Sequence, residues 1–405
     1  MTQATRRRMV GRDPHEPGRV ATPLELLYDL CFAVAFGIAG SQFAHYFSEH
    51  SYGIALTGFA FAVFAICWTW IQFSWFASAF DPDDWLYRVT VMVQMVGVVV
   101  VALGLPVAFH SMHEGHGLDI RVMVSGYVVI RLAQLANWFR LYLQAPEYRS
   151  ACIRNIAAVL VSQALWLALA FAHLDLATMA WLLPILIVLE TTGPIIGEGR
   201  GEGTPWHAHH ITERFSLLAI ITLGEGVIGT VASVNAAQAG VKWTWEPVVL
   251  IVSGLLLVFG MWWVYFIVPW SEVIVERPRS RFVFSYGHIL VLGTIAGTGA
   301  ALHIAGYTLE GAEHHVSATI AATVVAATVG CYLIVLHLLY SVASRSHDRI
   351  HSLLTLGSVL VAILGVVMVR AGTELPWGIL NISLAPLVTV IGTETRRRST
   401  TAVSH

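Results

Sequence analysis

Glu25 and Asp29 stand four residues apart near the start of an otherwise apolar stretch, PLELLYDLCFAVAFGIAGS, from Pro23 to Ser41. On a helix that spacing stacks both carboxylates on one face. An ionisable group inside a bilayer is costly and marks a functional site by default. Two carboxylates on one side of an apolar helix are suited to meeting a proton or a cation. Further ionisable residues sit in apolar surroundings along the chain: Arg131, Glu190, Glu213, Arg214, Glu225 and His288. Five acids against two arginines leave −3 if all ionise. Arginine keeps its charge in any protein setting, so Arg131 is expected to meet Asp29 or Glu190. His210 and Glu213, three residues apart, are spaced to hydrogen-bond and to pair with Arg214. Asp29, one turn deeper than Glu25, is expected to be the drier of the two, with Glu25 at the hydrated rim of a vestibule. The same residues have a plainer use, as ion pairs that hold helices together.

Histidines form a second set, 18 in all. His110, His113 and His116 fall in one loop, and His314 and His315 in another. Histidine near glutamate can hold zinc or another divalent ion, but neither loop has the strict spacing of a known metal site. Solvated loop histidines are the default, and no cofactor is expected. The four cysteines, Cys31, Cys67, Cys152 and Cys331, lie in or beside apolar segments without C-x-x-C spacing and read as small core residues.

The elements that position these groups follow from composition. The 405 residues are 56% hydrophobic and 12% charged, with mean hydropathy +0.69; soluble domains carry about 25% charged residues. The chain is therefore an integral membrane protein whose first partner is the lipid bilayer. A net charge of −2 gives no reason to expect nucleic acid. A spanning helix needs about 20 mostly apolar residues. Twelve stretches qualify: 24–47, 53–79, 86–109, 120–143, 153–172, 177–197, 208–234, 247–268, 282–304, 317–341, 351–370 and 375–391. The sixth and twelfth are the weakest, since they contain Pro184, Pro194 and Pro386.

Arginines fix the expected orientation. They precede the first span (Arg6, Arg7, Arg8, Arg12, Arg19), follow the second (Arg88), flank the fourth and fifth (Arg140, Arg149, Arg154), and follow the sixth (Arg200). They recur after the eighth (Arg277, Arg279, Arg281), after the tenth (Arg345, Arg349) and at the C-terminus (Arg396, Arg397, Arg398). With twelve spans all lie on one side, and the other holds Lys242, with Arg121 and Arg370 at helix ends. Both termini are thus expected in the cytoplasm, with the chain in the cytoplasmic (inner) membrane.

The twelve spans read as two six-helix parallel repeats, 23–198 and 207–392, between a basic N-terminal tail (1–22) and a basic C-terminal tail (393–405). Arg88 and Arg281 are 193 residues apart, and so are His110 and His303 at the other end of the same helices. The first and seventh spans both open with an acid followed by an aromatic, and the second and eighth both carry tryptophans. An even number of helices per repeat keeps the halves in one orientation, related by an axis along the membrane normal. The expected fold class is an all-α polytopic membrane protein.

Two stretches carry a family resemblance. T-P-L-E-L-x-Y-D-L-x-F-A (Thr22 to Ala33) and H-I-T-E-R-F-S-L-L-A-I-I-T-L-G-E (His210 to Glu225) resemble the signatures of the bacterial low-temperature-requirement protein A family. Leu27 stands where that family usually has an aromatic. The resemblance implies a multi-span membrane protein of loosely defined activity. More faintly, L-Y-D-L-C-F-A-V-A-F (Leu27 to Phe36) is similar to the F-S-D motif on the pore helix of some potassium channels. Leu217 replaces the acid in the second half.

These observations favour a transporter or channel for a cation, proton or small solute, working through a cytoplasm-facing acidic cavity. The alternative is a structural or signalling membrane protein linked to cold or stress tolerance, without transport. No H-E-x-x-H or G-x-S-x-G occurs, so an enzyme is not expected. A homo-oligomer is compatible with the sequence.

Overall fold

Long apolar runs wind into long helices, and a proline breaks a helix at some positions and is carried inside it at others. The computed structural model describes residues 7–115, 117–172, 174–198, 203–237, 245–310 and 316–403, with side chains left out at 197–198, 232–237, 310 and 397–403. Arg6, His116, Arg200, Lys242, His314 and His315 lie outside the described residues. The helices are α1 (Pro23–Ser48), α2 (Tyr52–Phe80), α3 (Trp85–His113), α4 (Arg121–Gln144), α5 (Arg149–Phe171), α6 (Leu176–Glu198), α7 (Ala208–Ala237), α8 (Trp245–Ile267), α9 (Trp270–Glu276), α10 (Arg281–Glu310), α11 (Ala318–Ser344), α12 (Arg349–Arg370), α13 (Leu375–Ser383) and α14 (Ala385–Val403).

Twelve helical stretches among the described residues are long and apolar enough to span a bilayer. Two are broken. Pro269, which has no N–H to donate, separates α8 from α9, and Leu384 separates α13 from α14 just before Pro386. Pro106, Pro184 and Pro194 sit inside continuous helices. Large apolar side chains such as Leu30, Val34, Val96, Leu103 and Leu360 face outward, as a lipid-facing surface requires. The fold is that of an all-α, multi-pass membrane protein.

The chain forms two compact units. The first comprises Met1–Ala39 and Phe64–Phe215. Within it α3 and α4 touch backbone to backbone: a Cβ on Gly126 would fall 2.6 Å from the Gly97 carbonyl oxygen. Glycine at both positions is what lets the helices approach so closely, and it sets the height of Arg131 on α4. The basic N-terminal segment is folded against the ends of α2 and α4. Arg12 N donates to Ala79 O at 2.9 Å, Met9 N donates to Gln144 Oε1 at 2.7 Å, and the buried Arg19 donates from Nη2 to Ala77 O at 3.0 Å.

Asp84 anchors this end. It caps α3 by accepting from Tyr87 N at 2.9 Å, takes Arg140 Nη1 at 2.9 Å, and takes Arg7 N at 3.0 Å. Burial pushes its carboxyl up, but the Arg140 guanidinium and the two backbone N–H donors prevail and hold it below its ordinary value. A depressed acid contributes stability above its unfolded pKa of about 3.9 and loses it as pH falls through the folded value. Asp84→Asn should therefore lower the thermal midpoint at pH 7, with the gap to wild type closing progressively below about pH 4. Thermal unfolding in detergent across that range checks this.

The second unit comprises Gly40–Val63 and Ser216–His405. Here α7 and α10 cross at glycines. A Cβ on Gly229 would lie 2.5 Å from Gly299 O, and one on Gly299 would lie 2.8 Å from Glu225 O. The crossing presses the backbone at Glu225 directly against α10.

Candidate functional site: two buried ion-pair clusters

The first cluster is two i, i+4 pairs facing each other. Glu25 and Asp29 stack on α1; His210 and Arg214 stack on α7 with the same spacing. Arg214 reaches both acids: Nη2 lies 2.5 Å from Asp29 Oδ1, and Nη1 lies 2.8 Å from Glu25 Oε1, an ionic contact out of hydrogen-bond line. His210 Nε2 lies 3.3 Å from the Glu25 carboxylate. Thr22 N donates to Glu25 Oε2 at 2.8 Å, and Trp70 Nε1 donates to Asp29 Oδ1 at 2.6 Å. The guanidinium carbon sits 5.5 Å from the ring centres of both Trp70 and Phe73, and that aromatic packing favours a cation there.

Glu25, Asp29, His210 and Arg214 are all 0% exposed. This corrects the expected wet-and-dry order: Glu25 is as dry as Asp29, because Thr22, His210 and Arg214 close over it. It also corrects the expected pairing of His210 with Glu213, since His210 turns to Glu25. Glu213 is half-buried and accepts from Ala21 N at 3.2 Å.

The second cluster surrounds Arg131 on α4. Its Nη2 donates to Glu190 Oε1 on α6 at 2.7 Å, its Nη1 to Gln134 Oε1 at 2.7 Å, and its Nε to the Tyr127 hydroxyl at 2.8 Å. Tyr127 OH donates to Glu190 Oε1, and Trp166 Nε1 on α5 donates to Glu190 Oε2 at 2.7 Å. Arg131 thus meets one of the two acids expected for it, Glu190, and Asp29 belongs to Arg214. The charges balance one to one in this cluster. In the first, two carboxylates share one guanidinium, so the cluster carries −1 unless His210 or a carboxyl holds a proton.

Residues 20–388 match the family described as bacterial low temperature requirement A protein (LtrA). The chain belongs to that family. It is also 29% identical over 293 residues to an uncharacterized protein of Rhizobium meliloti (strain 1021), an alignment that takes in 68% of this chain. The chain spans just under two thirds of that relative's length, 66%. Every residue of both clusters falls inside the family match.

Two of the remaining candidates in this LtrA family chain, Glu225 and His288, belong to the second unit. Glu225 on α7 is 8% exposed and lies in the second unit against Gly299. His288 is fully buried in a ring of Tyr265, Trp270 and Phe284. Its Nδ1 lies 2.7 Å from Phe284 O and its Nε2 lies 3.0 Å from Tyr265 OH. A carbonyl only accepts, so Nδ1 carries the hydrogen and Nε2 accepts from the tyrosine. Both ring nitrogens of His288 thus have a partner within the second unit. His110 and His113 are exposed, and among the described residues no three His, Cys, Asp or Glu come together to hold a metal. Cys67 and Cys152 are buried, but Cys31 is half-exposed and Cys331 faces outward on α11, which corrects their reading as core residues.

Sequence reading missed Trp70, inside an aromatic run, and Tyr127 and Trp166, lone aromatics in aliphatic stretches, whose polar atoms complete the clusters. It also missed Asp81, in the turn between α2 and α3. Asp81 is 4% exposed and takes Asp83 N at 2.6 Å. Burial first, then the negative charge of Glu25, pushes its carboxyl up to about 7. The folded chain thus binds more protons than the unfolded one between the ordinary aspartate value and about 7, so this group's contribution to stability falls as pH rises through that window. Asp81→Asn is expected to gain stability relative to wild type at pH 8 and little or none at pH 5. Paired thermal melts at the two pH values test it, and an equal gain at both would contradict it.

Proposed function

We propose that this chain carries protons, or a cation or small solute coupled to them, across the cytoplasmic (inner) membrane. The observation that supports this best is the charge count of the first cluster. Two carboxylates share one arginine in a site with no exposure, and a surplus buried charge in low dielectric is costly until a proton or cation neutralises it. Taking up and releasing that one charge is an elementary step of proton coupling. Asp81, a carboxyl near Glu25 that titrates near neutrality, is suited to feed it. The carboxylates of the first cluster are closed off from solvent, which suits a proton better than a hydrated ion, since a proton can pass along hydrogen bonds. The arginine asymmetry of the sequence supports cytoplasmic termini. On this reading the chain is a transporter and not an enzyme.

The zero exposure of Glu25, Asp29 and Arg214 also favours a second reading, in which the cluster only holds α1 to α7 and the chain serves a structural or signalling role in cold or stress tolerance. Purified protein in liposomes, screened for flux of protons, alkali ions and divalent metals, separates the two. Proton movement above that of empty liposomes supports transport. Flux equal to empty liposomes for every ion supports the structural role.

A further inference from the structure

A cavity of about 380 Å³ opens in the second unit between the ends of α8, α11, α12 and α14. This is within the range of ligand pockets, about 300–1,000 Å³. Its character changes along its length. Val264, Leu333 and Leu336 make a buried apolar wall, and Ile267 extends it. The mouth holds His337, Asp348, His351 and Arg396. The side chains there are open to solvent, 45% for Arg396 and 27% for His351.

The acceptor at the mouth is already engaged. Asp348 caps α12 by taking Ile350 N at 2.9 Å, faces His351 Nδ1 at 3.3 Å, and is paired with Arg396 Nη1. It is also held down to about 2: burial opposes this, and the Arg396 hydrogen bond leads the groups that overcome it. A carboxylate so matched has little pull on a further cation, and among the described residues no metal-holding group of His, Cys, Asp and Glu is present. The rest of the mouth is the Arg396 guanidinium and two imidazoles: His337 Nε2 lies 3.1 Å from the Ser352 hydroxyl, and His351 Nε2 lies 3.4 Å from the Thr393 hydroxyl, which itself donates to Thr389 O at 2.7 Å. Arg345 and Arg349 lie on the same connection between α11 and α12. A basic mouth on an apolar slot, between membrane helices, has the chemistry of a lipid headgroup pocket.

We propose that this cavity binds an anionic phospholipid, its head phosphate at Arg396, His351 and His337 and its acyl chain along Leu333, Leu336 and Val264. The outer faces of the same helices, at Leu338, Val342 and Leu353, are apolar and exposed, so the slot lies among helices that face the bilayer. This inference is independent of the transport reading.

The test uses the full chain in detergent, with the thermal midpoint measured against added phosphatidylglycerol, phosphatidylcholine, oleate and inorganic phosphate. Phosphatidylglycerol should raise the midpoint saturably, and the other three should not at equal concentration. Arg396→Gln should weaken that response about tenfold, the loss of one charge-assisted hydrogen bond. Leu336→Trp, which fills the apolar end and leaves the basic mouth intact, should abolish it. If Arg396→Gln unfolds the chain, His337→Gln leaves the Asp348 pairing untouched and should give a weakened response. Equal stabilisation by phosphatidylcholine, by oleate or by phosphate alone would overturn the proposal, and so would a Leu336→Trp variant that responds like wild type.

Discussion

Arg214→Met is expected to be the most damaging single substitution in the protein. It leaves Glu25 and Asp29 facing each other at zero exposure with no guanidinium between them. Removing one partner of a buried ion pair costs about 3–5 kcal/mol, because the other charge is left uncompensated. Here two carboxylates are stranded, and the neutral methionine fills the volume without answering either. The chain should express poorly, with a large drop in thermal midpoint in detergent. The same logic supplies a rescue. Adding Glu25→Gln and Asp29→Asn to Arg214→Met removes the stranded charges, and replacing a whole buried ion group by neutral residues is often close to neutral in stability. The triple variant should regain most of the lost midpoint. If the single variant melts like wild type, the Arg214 contacts do not hold α1 to α7.

The helices were legible in the sequence because the bilayer imposes one rule on every span, a run of about 20 apolar residues, and twelve such runs were visible. The breaks were less so. Pro386 flagged the twelfth span, where the helix does break, but Pro184 and Pro194 lie in a helix that continues. What decides is the neighbouring helices rather than the residue itself. The site was half legible. The i, i+4 spacing of Glu25 and Asp29 announced a shared face, and Arg131 had few acids to choose from. The partner of the two acids lies on α7, far along the chain, and no local pattern said that His210 and Arg214 repeat the same spacing to meet them. Expected hydration failed for a related reason. Depth along the helix puts Glu25 at a wet rim, and the residues that seal it, Thr22 and His210, come from outside its helix. Asp81 escaped notice because it lies in a polar turn, D-P-D-D, where a solvated acid is the ordinary case; only the fold buries it. The internal duplication rests on the sequence offsets alone.

Asp29→Asn is expected to abolish proton movement while leaving the chain folded. Asparagine keeps the volume and the acceptor oxygen that Trp70 Nε1 needs, and Arg214 keeps Glu25. The cluster becomes one carboxylate against one guanidinium, neutral without a proton, so it no longer has a charge to take up or release. Stability should change little or rise, since a surplus buried charge has gone. That combination, intact fold with lost transport, separates a functional carboxylate from a structural one. Glu25→Gln makes the same charge change but also disturbs the contacts to Thr22 and His210, so its effects on fold and flux are expected to be mixed. The most direct test is therefore acidification of a trapped pH-sensitive dye in liposomes, under an imposed pH gradient with potassium and valinomycin clamping the potential, for wild type and Asp29→Asn at matched insertion. Dye acidification is expected well above empty liposomes for wild type and at the empty-liposome rate for Asp29→Asn. Equal rates for the two proteins would contradict this.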